Sequence, residues 1–178
     1  MQSNTETTLV LGGCRSGKSS HALALAEMAT EKNRLYIATC VPYDDEMQDR
    51  VSRHQEERDN TWKTIETPVN IADAILENSR HSGVILVDCL TLWVTNLLMA
   101  DKSEDEILDA VTIVQAALAK AECPVILVSN EVGAGIVPEN SLARRFRDIA
   151  GFVNQKIAKS ADIVFFTAAG IPIKIKGS

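Results

Sequence analysis

One run of eight residues carries the most specific chemistry in the chain: Gly12-Gly13-Cys14-Arg15-Ser16-Gly17-Lys18-Ser19 satisfies the pattern G-x-x-x-x-G-K-[ST]. Glycines at those places let the backbone curl until successive N–H groups aim at phosphate oxygens, and a helix starting there adds positive potential. Lys18 is placed to neutralise the terminal phosphates and to act as the loop's catalytic cation, while the Ser19 hydroxyl can ligate Mg²⁺. With glycine at about 7% of residues, a chance match in so short a chain is on the order of one per cent. The segment therefore reads as a phosphate-binding loop.

Three further groups can do chemistry, and each has a plain reading beside the sharp one. Asp88 ends the apolar run Val84-Ile-Leu-Val as a Walker B carboxylate would, to hold Mg²⁺ next to the loop; alone, it is equally an aspartate opening a turn. His54 lies in the charge-rich stretch 44–59, where Met47, Val51 and His54 form the nonpolar helical alignment, so it is expected to face inward. There it is either a packed, hydrogen-bonded histidine or a neutral nucleophile for a nucleotide α-phosphorus, with pyrophosphate leaving on the loop and Mg²⁺. Arg50 and Arg58 flank it at helical spacing, and Arg144, Arg145 and Arg147 cluster further on; both sets either grip phosphate or face solvent. Trp62 and Trp93 read as interior or interface residues, since aromatic side chains bury large areas.

These groups need elements to position them. Residues 8–11, 34–39, 84–87, 124–128 and 163–167 are short runs rich in Val, Ile and Leu, apolar on consecutive positions, as strands covered on both faces should be. A helix is expected from 21 to 29 after the loop and another from 104 to 121, with Ser103 and Glu106 as a capping box and Ile107, Leu108, Val111, Val114, Leu118 and Ala121 as its stripe. A third begins near Leu142, with Phe146, Ile149, Val153 and Ile157 on its apolar side. The alternation in 171–176 predicts a half-exposed edge strand after a turn at Gly170. The pattern is an α/β domain with a mostly parallel sheet and helices on both faces, its ligands gathered beyond the carboxyl ends of the strands. The segment 130–140, polar and containing glycines, follows the fourth run, where binding loops sit.

Composition narrows the classes. A chain of 178 residues, 46% of them hydrophobic, suits one domain spanning 1–178 and excludes a disordered chain. A net charge of −6 with 18 Lys plus Arg lacks the basic excess of a dedicated nucleic-acid binder. Cys14, Cys40, Cys89 and Cys123 show no C-x-x-C pair, and His21, His54 and His81 have no zinc spacing, so any metal is expected to arrive with a substrate. A polar start and no apolar run near the roughly 20 residues of a membrane span lead to the expectation of a reduced, cytoplasmic protein.

The combination resembles one family over about 9–176: the bifunctional adenosylcobinamide kinase / adenosylcobinamide-phosphate guanylyltransferase of cobalamin nucleotide-loop assembly. The resemblance rests on GGCRSGKS, on YIAT from Tyr36, on DDEMQDRVSRH ending at His54, on VDCLTLWVTNLL from Val87 and on NEVGAGIVPENSLARRFRDIAGFVNQ from Asn130. It implies a P-loop NTPase (RecA-like) fold and two reactions. A nucleoside triphosphate phosphorylates adenosylcobinamide; GTP then guanylylates a histidine, which passes GMP to adenosylcobinamide phosphate. His54 alone fills the histidine's place, Arg53 standing where some relatives carry a second histidine. The resemblance further implies nucleotide contacts at Gly12 to Ser19, at Ala38, Thr39 and Cys40, at Gln55, Glu56, Glu57 and Arg58, and at Glu66 and Asp88. It implies ATP, GTP and Mg²⁺ as small partners, with no tightly bound organic cofactor, and a homotrimer. Two other readings keep the loop: a single-step small-molecule kinase with a structural His54, and a nucleotide-driven switch, which leaves 130–155 unexplained.

Overall fold

The computed structural model describes residues 5–42, 44–56 and 58–177, with the side chains of Glu46, Arg50, Arg53 and His54 outside that description. The apolar runs form the middle of one sheet. Strand β1 (Thr7–Gly12) is buried along its whole length. Strands β2 (Arg34–Ala38), β4 (Val84–Asp88) and β5 (Val125–Asn130) are buried up to a last residue that emerges at the carboxyl end. Branched aliphatic side chains on both faces leave such strands nowhere to go but between two layers. The edges look different: β3 (Trp62–Glu66) is partly buried at Trp62 and Ile65 alone, and β7 (Ile171–Lys176) is exposed throughout.

Strand order is β3-β2-β4-β5-β1-β6-β7, with β6 spanning Ile163–Ala168. All neighbours run parallel but β7, which returns antiparallel on β6. Strand β5 thus stands between β1, which leads into the phosphate loop, and β4, which ends in Asp88. Helix α1 (Lys18–Ala29) covers one face through Ala22, Leu23 and Ala26, against Val10, Leu86, Ile126 and Val128. The other face packs on α3 (Ile71–Asn78), α4 (Leu90–Met99), α5 (Glu104–Lys120) and α6 (Ser141–Ser160). Among the described residues no helix is long and apolar enough to cross a membrane.

Helix α5 keeps its expected start: the Ser103 hydroxyl accepts from the Glu106 N–H, and the Glu106 carboxylate accepts from the Ser103 N–H. Two expectations need correction. No strand was expected at β3, whose TWKTIE sequence reads as polar because one side of an edge strand is wet. The terminal strand was expected to be half buried. It is exposed on both sides because, among the described residues, no helix covers the sheet beyond β6, leaving Ile171, Ile173 and Ile175 between 52% and 64% exposed.

Candidate functional site

The turn between β1 and α1 is built by close approaches that only glycine permits. A Cβ on Gly12 would stand 2.3 Å from Ser16 Oγ and 2.6 Å from the Thr167 carbonyl oxygen, so the loop could not fold back over the strand end. Gly17 has a φ of 91° and lies so near Gly170 that a Cβ would meet its Cα at 3.0 Å. The Gly170 N–H donates to the Ser16 carbonyl at 2.8 Å, so the β6–β7 turn braces the loop from behind. Lys18, buried at its base, sends its ammonium back to the Gly13 carbonyl at 3.1 Å. Charge is thereby fixed at the loop's centre. Ser19 follows at the start of α1, on the same cleft.

Strand register assembles the rest. Ala38 pairs with Glu66 on one side and Asp88 on the other, and Gly12 pairs with Asn130, so these strand ends form one row along the sheet's carboxyl edge. The Tyr36 hydroxyl donates to Asp88 Oδ2 at 3.1 Å. Burial, reinforced by the Asp88 carboxylate, holds that phenol well above its ordinary pKa and so keeps it a donor. The guanidinium of Arg58 lies 3.7 Å from the centroid of the Tyr36 ring, and its Nη1 is buried without a hydrogen-bond partner among the described residues. Thr39 has a different role: fully buried, its hydroxyl donates to the Cys89 carbonyl and accepts from the Cys89 N–H, both at 2.8 Å. It clamps β2 to the end of β4. Burial, with the Asp88 charge adding to it, pushes the Cys89 thiol up to about 12, which removes it as a nucleophile. The Asn130 amide donates to Thr91 Oγ1 at 2.7 Å, and Asn154 donates to the Asn130 carbonyl at 3.0 Å.

These strand ends open on a cleft of about 710 Å³, lined by Cys14 to Ser20, Ala38, Cys40, Arg58, Glu66, Asp88 and Asn130. Helix α2 (Asp45–Glu56) borders the same space through Met47, Gln48, Val51 and Gln55. Asp44 starts that helix, accepting from the Met47 N–H at 2.8 Å. His54 lies in the last turn of α2, between Val51 and Gln55; its side chain and that of Arg50 lie outside the described residues, as does Glu57 altogether. Gly12, Gly13, Thr39 and Glu56 are in or near the site without lining the cleft. Trp93 is core, its indole N–H on the Val69 carbonyl at 2.7 Å, and Trp62 packs edge-on to Tyr36.

Tyr36 and Asn130 are the lining residues whose contacts the sequence did not announce. Tyr36 read as one more apolar strand residue, and only strand order brings it to Asp88. Asn130 had a signal, since it ends a buried strand as Asp88 does.

The arginines beyond Asn130 lie at the surface, Arg144 and Arg145 exposed and Arg147 partly buried, and each spends its guanidinium on backbone carbonyls. Arg147 donates to the Gly133 carbonyl at 2.7 Å, Arg144 to those of Pro138 and Glu139, and Arg145 to that of Lys102 at 2.9 Å. They tie the segment 131–140 and its surroundings to the first turns of α6. Glu131 turns back on the same loop, accepting from the Gly133 N–H.

Comparison with known proteins follows the same lines. Residues 8–175 match the family model described as cobinamide kinase / cobinamide phosphate guanyltransferase. The chain belongs to this family. Its relatives include the bifunctional adenosylcobalamin biosynthesis proteins CobU of Salmonella typhimurium and of Escherichia coli, each 44% identical over 94% of this chain and 98% of theirs. The corresponding CobP of Pseudomonas aeruginosa is 40% identical over 95% of this chain and 96% of its own. Among solved structures, a KaiC-like protein of Pyrococcus horikoshii superposes with a TM-score of 0.57 at 13% identity, covering 91% of this chain and 70% of that one. The flagellar accessory protein FlaH of Methanocaldococcus jannaschii gives 0.53 at 16% identity, covering 98% and 79%. At that identity the likeness is one of fold, and it is the P-loop NTPase fold that the loop and strand order express. Membership of the cobinamide kinase / guanyltransferase family makes the chain a multifunctional transferase of cobalamin biosynthesis.

Proposed function

We propose that this enzyme phosphorylates adenosylcobinamide and then transfers GMP from GTP, through a guanylylated His54, to adenosylcobinamide phosphate. In the first reaction the hydroxyl of the aminopropanol arm attacks the γ-phosphorus of a nucleoside triphosphate; the bond to the β-phosphate oxygen breaks and the hydroxyl proton is released. In the second, an imidazole nitrogen of His54 attacks the α-phosphorus of GTP, the α–β P–O bond breaks, and pyrophosphate departs with the electron pair. The corrinoid phosphate then displaces the imidazole, giving adenosylcobinamide-GDP and the free histidine.

The observation that carries this reading is that α2, the helix bearing His54, lines the same cleft as the phosphate loop and Asp88. A nucleotide gripped at Gly12 to Ser19 would lie in that cleft. Lys18 and the loop N–H groups would stabilise negative charge on the leaving phosphates. Ser19 and Asp88 offer hard oxygen donors on one cleft, the set that suits Mg²⁺ arriving with the nucleotide, and the ion would add charge neutralisation at the phosphates. Arg58, with an N–H at the cleft that has no partner among the described residues, is assigned to the nucleotide together with Ala38, Cys40, Gln55 and Glu66. The family resemblance supports a homotrimer, and the scattered cysteines with no apolar span in the sequence support a cytoplasmic enzyme.

Purified protein incubated with adenosylcobinamide, ATP, GTP and Mg²⁺ should yield adenosylcobinamide phosphate and then adenosylcobinamide-GDP, identified by mass. Accumulation of the phosphate alone would leave a kinase and remove the second reaction.

A further inference from the structure

We propose that the loop 131–140 is the seat of the corrin ring, an aliphatic platform beside the nucleotide cleft on which Ile136 and Val137 make the apolar contact; this rests on the function proposed above. The loop leaves the site directly. Asn130 lines the cleft, and the next residue, Glu131, donates its N–H to the carbonyl of Gly12, where the phosphate loop begins, at 3.0 Å. Six residues beyond Asn130, Ile136 is 97% exposed and Val137 after it 60%.

An exposed aliphatic pair on a slack loop would mean little, but this loop is held. Arg147 fixes Gly133, Arg144 fixes Pro138 and Glu139, Glu131 accepts from Gly133, and Asn140 caps α6 by accepting from the Ala143 N–H at 3.1 Å. Charged side chains bonded to loop carbonyls hold two branched apolar side chains out in water. A pre-ordered apolar surface loses little freedom when a ligand covers it, which is the condition for using it in binding. Leu142, at the first turn of α6, continues the surface at 52% exposure, where the helix's apolar stripe runs past the core.

Size and chemistry choose the occupant. A cleft of about 710 Å³ accommodates one ligand of nucleotide size, so a corrin macrocycle acting with a bound nucleotide has to rest outside while its aminopropanol arm reaches in. The ring's rim alternates methyl groups with neutral amide arms. Its complement is aliphatic side chains interspersed with accessible backbone, and Gly135, with open space where a side chain would stand, provides the latter beside Ile136. In this account Arg144 and Arg147 are positioning residues.

The test is equilibrium dialysis of adenosylcobinamide and of GTP against parent and Ile136→Asp, together with steady-state rates. Ile136→Asp is expected to weaken adenosylcobinamide binding by about tenfold or more and to raise its KM by a similar factor at unchanged kcat, with GTP affinity at the parental value. Arg147→Ala, which removes a brace and no apolar surface, should raise the same KM, and Arg147→Lys should recover part of the loss. Because Ile136 is exposed, the melting temperature should not move. Parental adenosylcobinamide affinity in Ile136→Asp would overturn the proposal, as would a change in oligomeric state on a sizing column, which would mark the platform as a contact between copies. A parent protein that binds GTP and no adenosylcobinamide would contradict the proposed function itself, before any variant is compared.

Discussion

In the proposed function both transfers would depend on Lys18, since each would expel a phosphate-bearing group from the loop where its ammonium is held. Lys18→Ala is expected to lower both rates by roughly a hundred- to thousandfold, the usual loss for one fixed charge aimed at a developing one; near-parental product formation would contradict that role. Tyr36 acts at one remove. Its hydroxyl fixes one oxygen of Asp88, and a hydrogen bond to a charged group is worth about 1.5–3 kcal/mol, so Tyr36→Phe should raise the Mg²⁺ concentration at half-maximal rate by about tenfold. Mg²⁺ titration followed by calorimetry with GTP present reads the same change without turnover, while GTP affinity in the absence of Mg²⁺ should stay put. The cysteines offer a contrast within one site. Cys14 is exposed on the phosphate loop, whereas Cys89 is buried with a thiol that stays protonated until about pH 12. Iodoacetamide at mildly alkaline pH should therefore modify Cys14, more slowly with GTP bound, and spare Cys89; peptide mass mapping checks both.

Elements whose sequence pattern is local were legible, and those defined by their neighbours were not. The buried strands β1, β2, β4 and β5 declare themselves because two covered faces demand unbroken apolar runs. Helix α5 declares its own start, and the cap can be tested there: Ser103→Ala should cost about 1 kcal/mol, measured by denaturant unfolding. The Lys102 ammonium, helped by Ser103, holds the Glu106 carboxyl at about 2, below its ordinary value of 4.5. A depressed carboxyl stabilises the fold above its unfolded pKa, so this contribution is present above about pH 4.5 and fades as pH falls toward 2. Edge strand β3 was missed, and β7 was read correctly as an edge strand but is more exposed than its alternation implied, because exposure at an edge follows from what covers it. The three arginines of α6 could not be assigned from spacing, since their partners are backbone carbonyls, which no side-chain pattern reveals. The phosphate loop and Asp88 were legible because their chemistry fixes residue type, and Asn130 carried a fainter signal as the end of a buried strand; the contact of Tyr36 with Asp88 became visible only through strand register.

At the scale of the molecule, one sheet with a helix layer on each face brings the loop, Asp88 and α2 to a single cleft. One sheet with continuous cores should unfold as a unit, so urea denaturation followed by tryptophan fluorescence and by far-ultraviolet circular dichroism should give coincident transitions; separated midpoints would contradict a single domain. Mg²⁺-GTP should shift that transition upward by mass action. The reading of function turns on whether α2 delivers a nucleophile or only a wall. Protein incubated with α-labelled GTP and Mg²⁺, then denatured and digested, should carry label that survives base and is lost in acid, on the peptide containing His54, and His54→Ala should carry none. Label on another residue, or an unlabelled parent that still converts adenosylcobinamide phosphate to adenosylcobinamide-GDP, would contradict the account.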